Sequence, residues 1–421
     1  LELLATDAAA RLATHLEFGK VDPQKFHDSW NFNSRISVME RVELLERVLA
    51  AADPGAALEA QAPDSDYYRG LMRHLAHHRE LAALGGWPQV SPGETLRPGM
   101  TSARVPELRA RLAASGDLAV VSRPADPLLF DAELEDAVRR FQLRHELLVD
   151  GLVGKRTLAA MNVPVEARID QLRVNLERAR WVFRDLEPRF LLVNIARFRV
   201  LLLEGREVRW STRAVVGRPY RQTPVFRARM THLELNPTWT VPPTIFREDL
   251  LPQIRQDPGV LERRNMQVFT WDGQRVDPWN VDWQRVDGNR PPYFVRQAPG
   301  PYNPLGRVKF LYPNPYQVYM HDTPERELFH RAERSFSSGC IRIERPLELA
   351  WLLLAGSAEA QQRMDAALRS RETVTIALPR PIPVLTLYGT AVPEDDGIHF
   401  ASDVYARDSS LLAALDASPG V

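Results

Sequence analysis

A single cysteine, Cys340, follows Ser337, Ser338 and Gly339 and precedes an alternating Ile341-Arg342-Ile343. A thiol of ordinary pKa, about 8.5, is mostly protonated at neutral pH, so a cysteine nucleophile needs a neighbouring base. The candidate base is His321, which precedes Cys340 by 19 positions and ends the alternating run Tyr316–His321. In an extended chain alternate side chains share a face. Tyr319 and His321 therefore lie on one side, Val318 and Met320 on the other. Cys340 and Arg342 share a face in the same way, opposite Ile341 and Ile343. An imidazole beside the thiol takes its proton and stabilises the thiolate as an ion pair. Gly339 lets a substrate approach the backbone closely. The N–H groups of Ser338, Gly339 and Cys340 can converge as an oxyanion hole. The hydroxyls of Ser337 and Ser338 can support that loop or donate to a substrate. The chemistry expected is acyl transfer through a thioester.

Each residue also has a blander reading when taken alone. A lone cysteine is most often buried and inert, a histidine satisfied in a core, a glycine part of a plain turn. Arg342 suits both gripping a substrate carboxylate and bracing the loop. Tyr319 suits both a substrate groove and an aromatic core. If His321 is not the base, His330 is the next candidate.

These residues need a sheet to hold them. Short strands with turn signals run from Phe190, through Phe190–Ile195, Arg197–Leu202, Glu207–Trp210, Ala214–Gly217 and Thr231–Leu235, which predicts a mostly β domain over 188–380. The strand pattern stops near Val241-Pro242-Pro243 and resumes near Phe294. Residues 245–293, with helical pieces and Trp271, Trp279 and Trp283, are expected to form a cap over the groove. Residues 381–421 read as one strand, Val384–Tyr388, and a final helix near Ser409–Leu415. Residues 1–92 read as helical, completed by 164–187. Leu4, Ala8, Leu12 and His15 recur at helical spacing, as do Val38, Val42, Leu45 and Val48. His74, His77 and His78 lie on a further helix, where a solvated face is expected because no partner sits at a known zinc spacing. Residues 93–163 read as a compact three-helix unit. Its Gly151–Thr157 segment has only two residues between glycines, the wrong spacing for a phosphate loop.

Composition bounds the partners. Lys plus Arg equals Asp plus Glu at 54 each, so no field steers nucleic acid or an anionic membrane. No run of 18 apolar residues exists to span a bilayer. One cysteine excludes an intrachain disulfide, and in a secreted protein a lone thiol reads as reactive. The chain begins at Leu1 without a basic-then-apolar leader, so a processed chain is expected. Neither a metal nor a cofactor is implied.

Papain-like proteases place Cys far before His, and caspases carry another signature. His followed by Ser337-Ser-Gly-Cys340-Ile-Arg342 resembles the L,D-transpeptidase catalytic domain, the YkuD-like fold. Gly217–Pro224 is similar to the glycine and Thr-Pro strand pair of that family, and Asn236–Pro242, Arg296–Gly300, Asn303–Phe310 and His321–Pro324 with Leu328-Phe329 resemble its larger, YcbB-type members. Leu96, Gly99, Val105, Leu108, Phe130, Asp131, Phe141, Gln142, Asp150, Gly151, Gly154 and Thr157 resemble the three-helix peptidoglycan-binding domain of wall enzymes. The fold class implied is α+β: a mostly β catalytic domain, an α-helical scaffold and the small binding domain. Two positions depart from the family. Many members have His where Ser338 stands, and many have Gly where Asp322 stands. His321 must then act alone. The Asp322 carbonyl is free to orient it, and the Asp322 carboxylate joins the loop without an assigned role.

The resemblance implies a peptidoglycan stem peptide as donor, attacked by Cys340, with D-Ala leaving. The amine of a second stem is the acceptor, giving a 3→3 cross-link. Water as acceptor gives an L,D-carboxypeptidase or cross-link hydrolase. A non-catalytic wall-binding protein is a third reading, disfavoured by intact Cys340, His321 and Gly339. The resemblance further implies glycan contact through 93–163, acylation by carbapenem β-lactams, and a place in the periplasm or cell envelope.

Overall fold

The computed structural model describes residues 2–32, 37–119, 124–184 and 186–418. The chain divides into two compact units. One comprises Leu1–Leu186, Asn194–Arg197 and Leu387–Val421; the other comprises Glu187–Val193 and Phe198–Thr386.

The first unit is mainly helical. Helices Glu2–Phe18, Val38–Leu49, Pro54–Glu59 and Asp66–Ala83 precede the small three-helix domain, and Val165–Val182 follows it. Ser37 opens the second helix with a capping box closed by Glu40, which satisfies two of the amide donors that a helix start leaves orphaned. Helix Asp66–Ala83 buries Tyr68, Leu71 and Leu75 against Leu172, Leu176 and Ala179. The inward faces differ in detail from the expected ones. Leu4 and Leu12 are exposed while Ala13 is buried, and Leu44 and Val48 turn inward where Val42 does not. Several apolar positions compete for one stripe, and the partner surface decides which wins. The histidine helix is a larger correction. His78 is buried, with Nδ1 2.7 Å from the His74 carbonyl, so this face is not simply solvated.

In the small domain helices Val105–Ala114, Ala132–Arg144 and Lys155–Met161 enclose Leu96, Leu108, Leu112, Phe130, Val138 and Phe141. Gln142 is fully buried. Its amide donates to Asp150 and Thr157, and its carbonyl accepts from the Gly151 N–H. That network pins the Asp150-Gly151 turn to the second helix. The C-terminal part adds an unforeseen hairpin, Ala391–Glu394 with Gly397–Phe400, before helix Asp408–Asp416.

The second unit is built on nine strands: β1 Arg189–Asn194, β2 Arg199–Glu204, β3 Glu207–Gly217, β4 Arg227–Leu235, β5 Val308–Leu311, β6 Met320–His321, β7 Ser335–Ser337, β8 Ile341–Ile343 and β9 Val374–Leu387. Their order is β7-β3-β8-β6-β5-β4-β9-β1-β2, and β2 also pairs with β3, so the sheet closes on itself. Closure removes the free edges that such strands would otherwise expose. Inside lie Val193, Phe226, Met230, Phe310, Met320, Ile341 and Ile343, covered by Leu349 and Leu353 of helix Pro346–Leu353. β9 is one long strand reaching back to Val374, where the sequence indicates a separate element from Val384.

Between β4 and β5 stands a separate body with its own core of Phe246, Leu250, Ile254, Leu261, Val268, Trp283 and Val295. It carries a four-stranded sheet of Trp239–Thr240, Tyr293–Gln297, Met266–Thr270 and Arg275–Val276, in that order. This body therefore runs from 239 to 297 and contains strands that the expected 245–293 boundaries cut through. Of its four tryptophans Trp283 is buried, Trp239 is partly buried against the same core, and Trp271 and Trp279 are exposed.

Candidate active site

β6 and β8 run parallel, with Met320 opposite Ile341 and His321 opposite Arg342. The Ile341 N–H donates to the Tyr319 carbonyl at 3.0 Å. Met320, Ile341 and Ile343 enter the core, so the alternating residues Tyr319, His321, Cys340 and Arg342 share the other face. The register sets the neighbours. Cys340 lies beside Tyr319, and His321 beside Arg342, so thiol and imidazole sit diagonally across the strand pair.

Cys340 is half-buried. Its Sγ lies 3.9 Å from the Gln317 carbonyl, an acceptor for S–H. The Tyr319 backbone N–H and phenol also face the sulfur and favour its charged form. Burial holds the thiol above its usual pKa; the two Tyr319 donors and then Lys309 and Arg342 oppose that rise. The Tyr319 phenol is itself held well above its usual value, chiefly by burial and then by the sulfur's charge, so it remains a donor. Lys309 Nζ stands 4.2 Å over the Tyr319 ring.

His321 is 4% exposed. Its Nδ1 faces the Asp322 carbonyl. A carbonyl only accepts, so Nδ1 carries the proton and Nε2 the lone pair. Burial, with Arg342 repulsion next, brings its pKa down to about 3. Both groups are thus neutral at pH 7, and the resting thiolate–imidazolium pair expected from the sequence is disfavoured. A neutral thiol and a neutral imidazole suit general-base chemistry, in which a proton leaves the sulfur as it attacks.

The loop before Cys340 is fixed from several sides. Ser337 Oγ donates to the Cys340 carbonyl at 2.6 Å and accepts from the Gly339 N–H at 3.1 Å. The Gly339 amide is therefore spent within the loop, a correction to its expected oxyanion role. The amides of Ser338 and Cys340 have no protein acceptor among the described residues. Gly339 adopts φ 113°, a region closed to side-chain-bearing residues. Thr223 Oγ1 donates to the Gly339 carbonyl at 2.8 Å and accepts from the Gly217 N–H at 2.9 Å. A Cβ at Gly217 would fall 2.1 Å from the Arg221 carbonyl, so only glycine lets segment 217–223 fold against the Cys340 loop.

Two charged contacts and a third were not legible in the sequence. Arg342 pairs with Glu325, which braces the crossover between β6 and β8. The Asp322 carboxylate accepts from the Arg307 and Thr323 N–H groups, both at 2.7 Å, and pairs with Arg326 at 2.6 Å. It anchors the loop and leaves only its carbonyl to His321. Arg221 Nη1 donates to Ser338 Oγ at 3.0 Å and to Asp249 at 2.5 Å, while Nη2 reaches Glu248 at 2.6 Å. One guanidinium thus ties the Cys340 loop to the inserted body. His330 is exposed on a 3-10 turn. Elsewhere, Glu394, Asp396 and His399 bring ligand atoms within 4.8 Å of one another. Arg197 donates to Glu394 and to His399 Nδ1, and His399 Nε2–H donates to Asp396 at 2.7 Å. The imidazole lone pair is engaged, so the cluster reads as an ion network around Arg197.

Comparison with known proteins assigns these parts. The family model described as "L,D-transpeptidase catalytic domain" (YkuD) matches residues 188–365. The model "Scaffold domain" matches 1–75, and "Putative peptidoglycan binding domain" matches 101–161. A "Putative L,D-transpeptidase" of Haemophilus influenzae is 34% identical over 250 residues, 59% of this chain and 50% of that protein. "N-acetylmuramoyl-L-alanine amidase CwlM" of Mycobacterium tuberculosis is 44% identical over 80 residues, 18% of this chain and 20% of that protein. The chain thus spans half or less of the length of these curated relatives. Among solved structures, an L,D-transpeptidase from Stackebrandtia nassauensis aligns over 71% of this chain and 96% of its own at 11% identity, with a TM-score of 0.27. Another, from Xylanimonas cellulosilytica, aligns over 70% and 99% at 14% identity, with a TM-score of 0.22. Superpositions this loose carry no weight for the present fold. The family matches and the β-rich second unit agree: the chain carries a YkuD-like L,D-transpeptidase catalytic domain, with a scaffold and peptidoglycan-binding region on its N-terminal side.

Proposed function

We propose that the protein is an L,D-transpeptidase of the bacterial cell envelope that forms 3→3 cross-links between peptidoglycan stem peptides. One observation carries this reading: the parallel β6–β8 register gathers Cys340, Tyr319, His321 and Arg342 on one face of the matched catalytic domain. Cys340 attacks the carbonyl of the third stem residue while His321 Nε2 takes the thiol proton. The N–H groups of Ser338 and Cys340 receive the developing oxyanion. The tetrahedral centre collapses, breaking the peptide bond, and His321 returns the proton to the departing D-Ala amine. The side-chain amine of a second stem attacks the thioester, loses its proton to His321, and expels the thiol. Atoms balance with no metal or cofactor. The inserted body at 239–297 excludes water from this second step, and residues 93–163 hold the wall polymer. The same attack opens the strained carbonyl of a carbapenem and leaves one adduct on Cys340.

The test is incubation with purified muropeptides and mass analysis of the products. Cross-linked dimers with loss of D-Ala are expected. Trimmed monomers alone would reassign the protein to hydrolysis, and unchanged muropeptides would reduce it to wall binding.

A further inference from the structure

Within the first compact unit, helix Asp66–Ala83, the small three-helix domain and hairpin 391–400 line a partly open cavity of about 230 Å³. Three guanidiniums converge around it with one buried acid. Arg144 spends its charge on Asp117, with Nε 2.9 Å and Nη2 2.6 Å from the two carboxylate oxygens. Among the described residues Arg168, behind the Phe400 wall, meets uncharged acceptors, Gln171 Oε1 at 2.7 Å and the Ala160 carbonyl. Arg111 is 1% exposed. Its Nε donates to the Met161 carbonyl at 2.7 Å, its plane stacks 4.2 Å from the Trp87 ring, and its Nη1 is buried without an acceptor. Among the described residues the guanidinium reaches no carboxylate.

Stacking on Trp87 satisfies the face of the Arg111 cation but not its in-plane donors. Asp117 acts on Arg111 through space while it bonds Arg144, so one carboxylate serves two buried cations, and a second anion in the cavity would offset their desolvation. Burial lowers Arg111 to about 10 and Arg168 to about 9, so both remain charged at neutral pH. His74, His78 and His145 line the same cavity, which gives a role to the histidine run that the acyl-transfer chemistry leaves unused. The one carboxylate on the lining, Asp396, is exposed and turned to His399.

We propose that this cavity binds a compact oxyanion, a phosphate or a carboxylate, gripped by the free edge of Arg111 beside the Arg144–Asp117 pair. Its volume lies below the roughly 300 Å³ at which drug-sized pockets begin, which favours a single anionic group over a whole saccharide. The occupant is either free phosphate or a carboxylate carried on a wall stem peptide.

The site is read by titration calorimetry on the full chain, which needs no turnover. Inorganic phosphate is expected to bind saturably at one site, and sodium chloride at matched ionic strength to give no such heat. Arg111→Met keeps the apolar stem on Trp87 and is expected to weaken phosphate binding by at least about tenfold, as losing a charge-assisted fork should. Ala114→Glu places an internal carboxylate one turn from Arg111 on the cavity wall; it should abolish phosphate binding and raise the melting temperature. A stem peptide with free carboxylates that displaces phosphate, where its amidated form does not, identifies the wall as the source. Failure of that displacement identifies the free ion. Wild-type protein that responds to phosphate no more than to chloride overturns the proposal. So does unchanged binding in Ala114→Glu together with a folded Arg111→Met.

Discussion

At the residue scale, the resting charge state of the nucleophile is the point to test. Burial raises Cys340 and lowers His321, so a preformed ion pair would have to overcome both shifts. Alkylation of Cys340 by iodoacetamide should therefore rise steadily with pH and level off only above the ordinary thiol range. A plateau between pH 4 and 7 would instead show the ion pair. Tyr319→Phe removes one donor to the sulfur, a loss expected to slow alkylation at pH 7 by about tenfold at most, the scale of one hydrogen bond to a charged group. The same variant should shift the alkylation profile to higher pH. A structural loss alone would lower the melting temperature and leave the profile in place. Cys340→Ala should abolish acyl transfer completely while the protein stays folded, because the half-buried thiol makes no strong contact that the core depends on.

At the element scale, the inserted body and the nucleophile loop meet through Arg221. Pro252 stands just inside helix Leu251–Gln256. A proline there lacks an N–H and crowds the preceding turn. The chain widens into a π turn at Phe246–Leu250, the turn that presents Glu248 and Asp249 to Arg221. Both carboxylates are about 40% exposed, so the pairs contribute no more than about 1 kcal/mol to stability. Their effect should fall on positioning. Arg221→Ala is expected to keep the melting temperature nearly unchanged and to speed hydrogen exchange over residues 243–256. It should also shift thioester partitioning from amine toward water, read as the ratio of cross-linked to trimmed muropeptides. Equal ratios in both proteins would remove Arg221 and the inserted body from control of the acceptor.

At the scale of the whole molecule, buried histidines set the response to acid. Burial is the first cause that brings His27 and His321 to about 3, His78 to about 4, and His145 well below its usual value. Unfolded, each would take a proton near pH 6.5. Below that pH the unfolded chain binds more protons than the folded one, so stability falls from pH 6.5 toward 3–4 and is unaffected by these groups above 6.5. At pH 5 each such histidine costs roughly 2 kcal/mol. Three of the four belong to the first unit and one to the second. Guanidinium unfolding at pH 7.5 and pH 5 should therefore show two transitions, with that of the first unit moving further. Equal shifts would mean that the three burials do not persist in solution.

The sequence by itself determined the class of the fold and which side chains around Cys340 and His321 share a face. The lone Cys340 after a glycine, the upstream His321 and the alternation around each are local facts, and local periodicity decides which side chains share a face. The helical beginning and the strand-rich later part were legible for the same reason. What only the tertiary structure decided was who stands beside whom. Strand register and the parallel pairing of β6 with β8 depend on sheet closure, which no local pattern encodes. They put Tyr319, not His321, next to the thiol. Burial is likewise a property of the assembled core, so the lowered pKa of His321 and the inward turn of His78 had no sequence signal. The long-range contacts of Arg221, Arg342 and Asp322 were equally hidden, since a guanidinium finds its carboxylate only after the chain between them has folded.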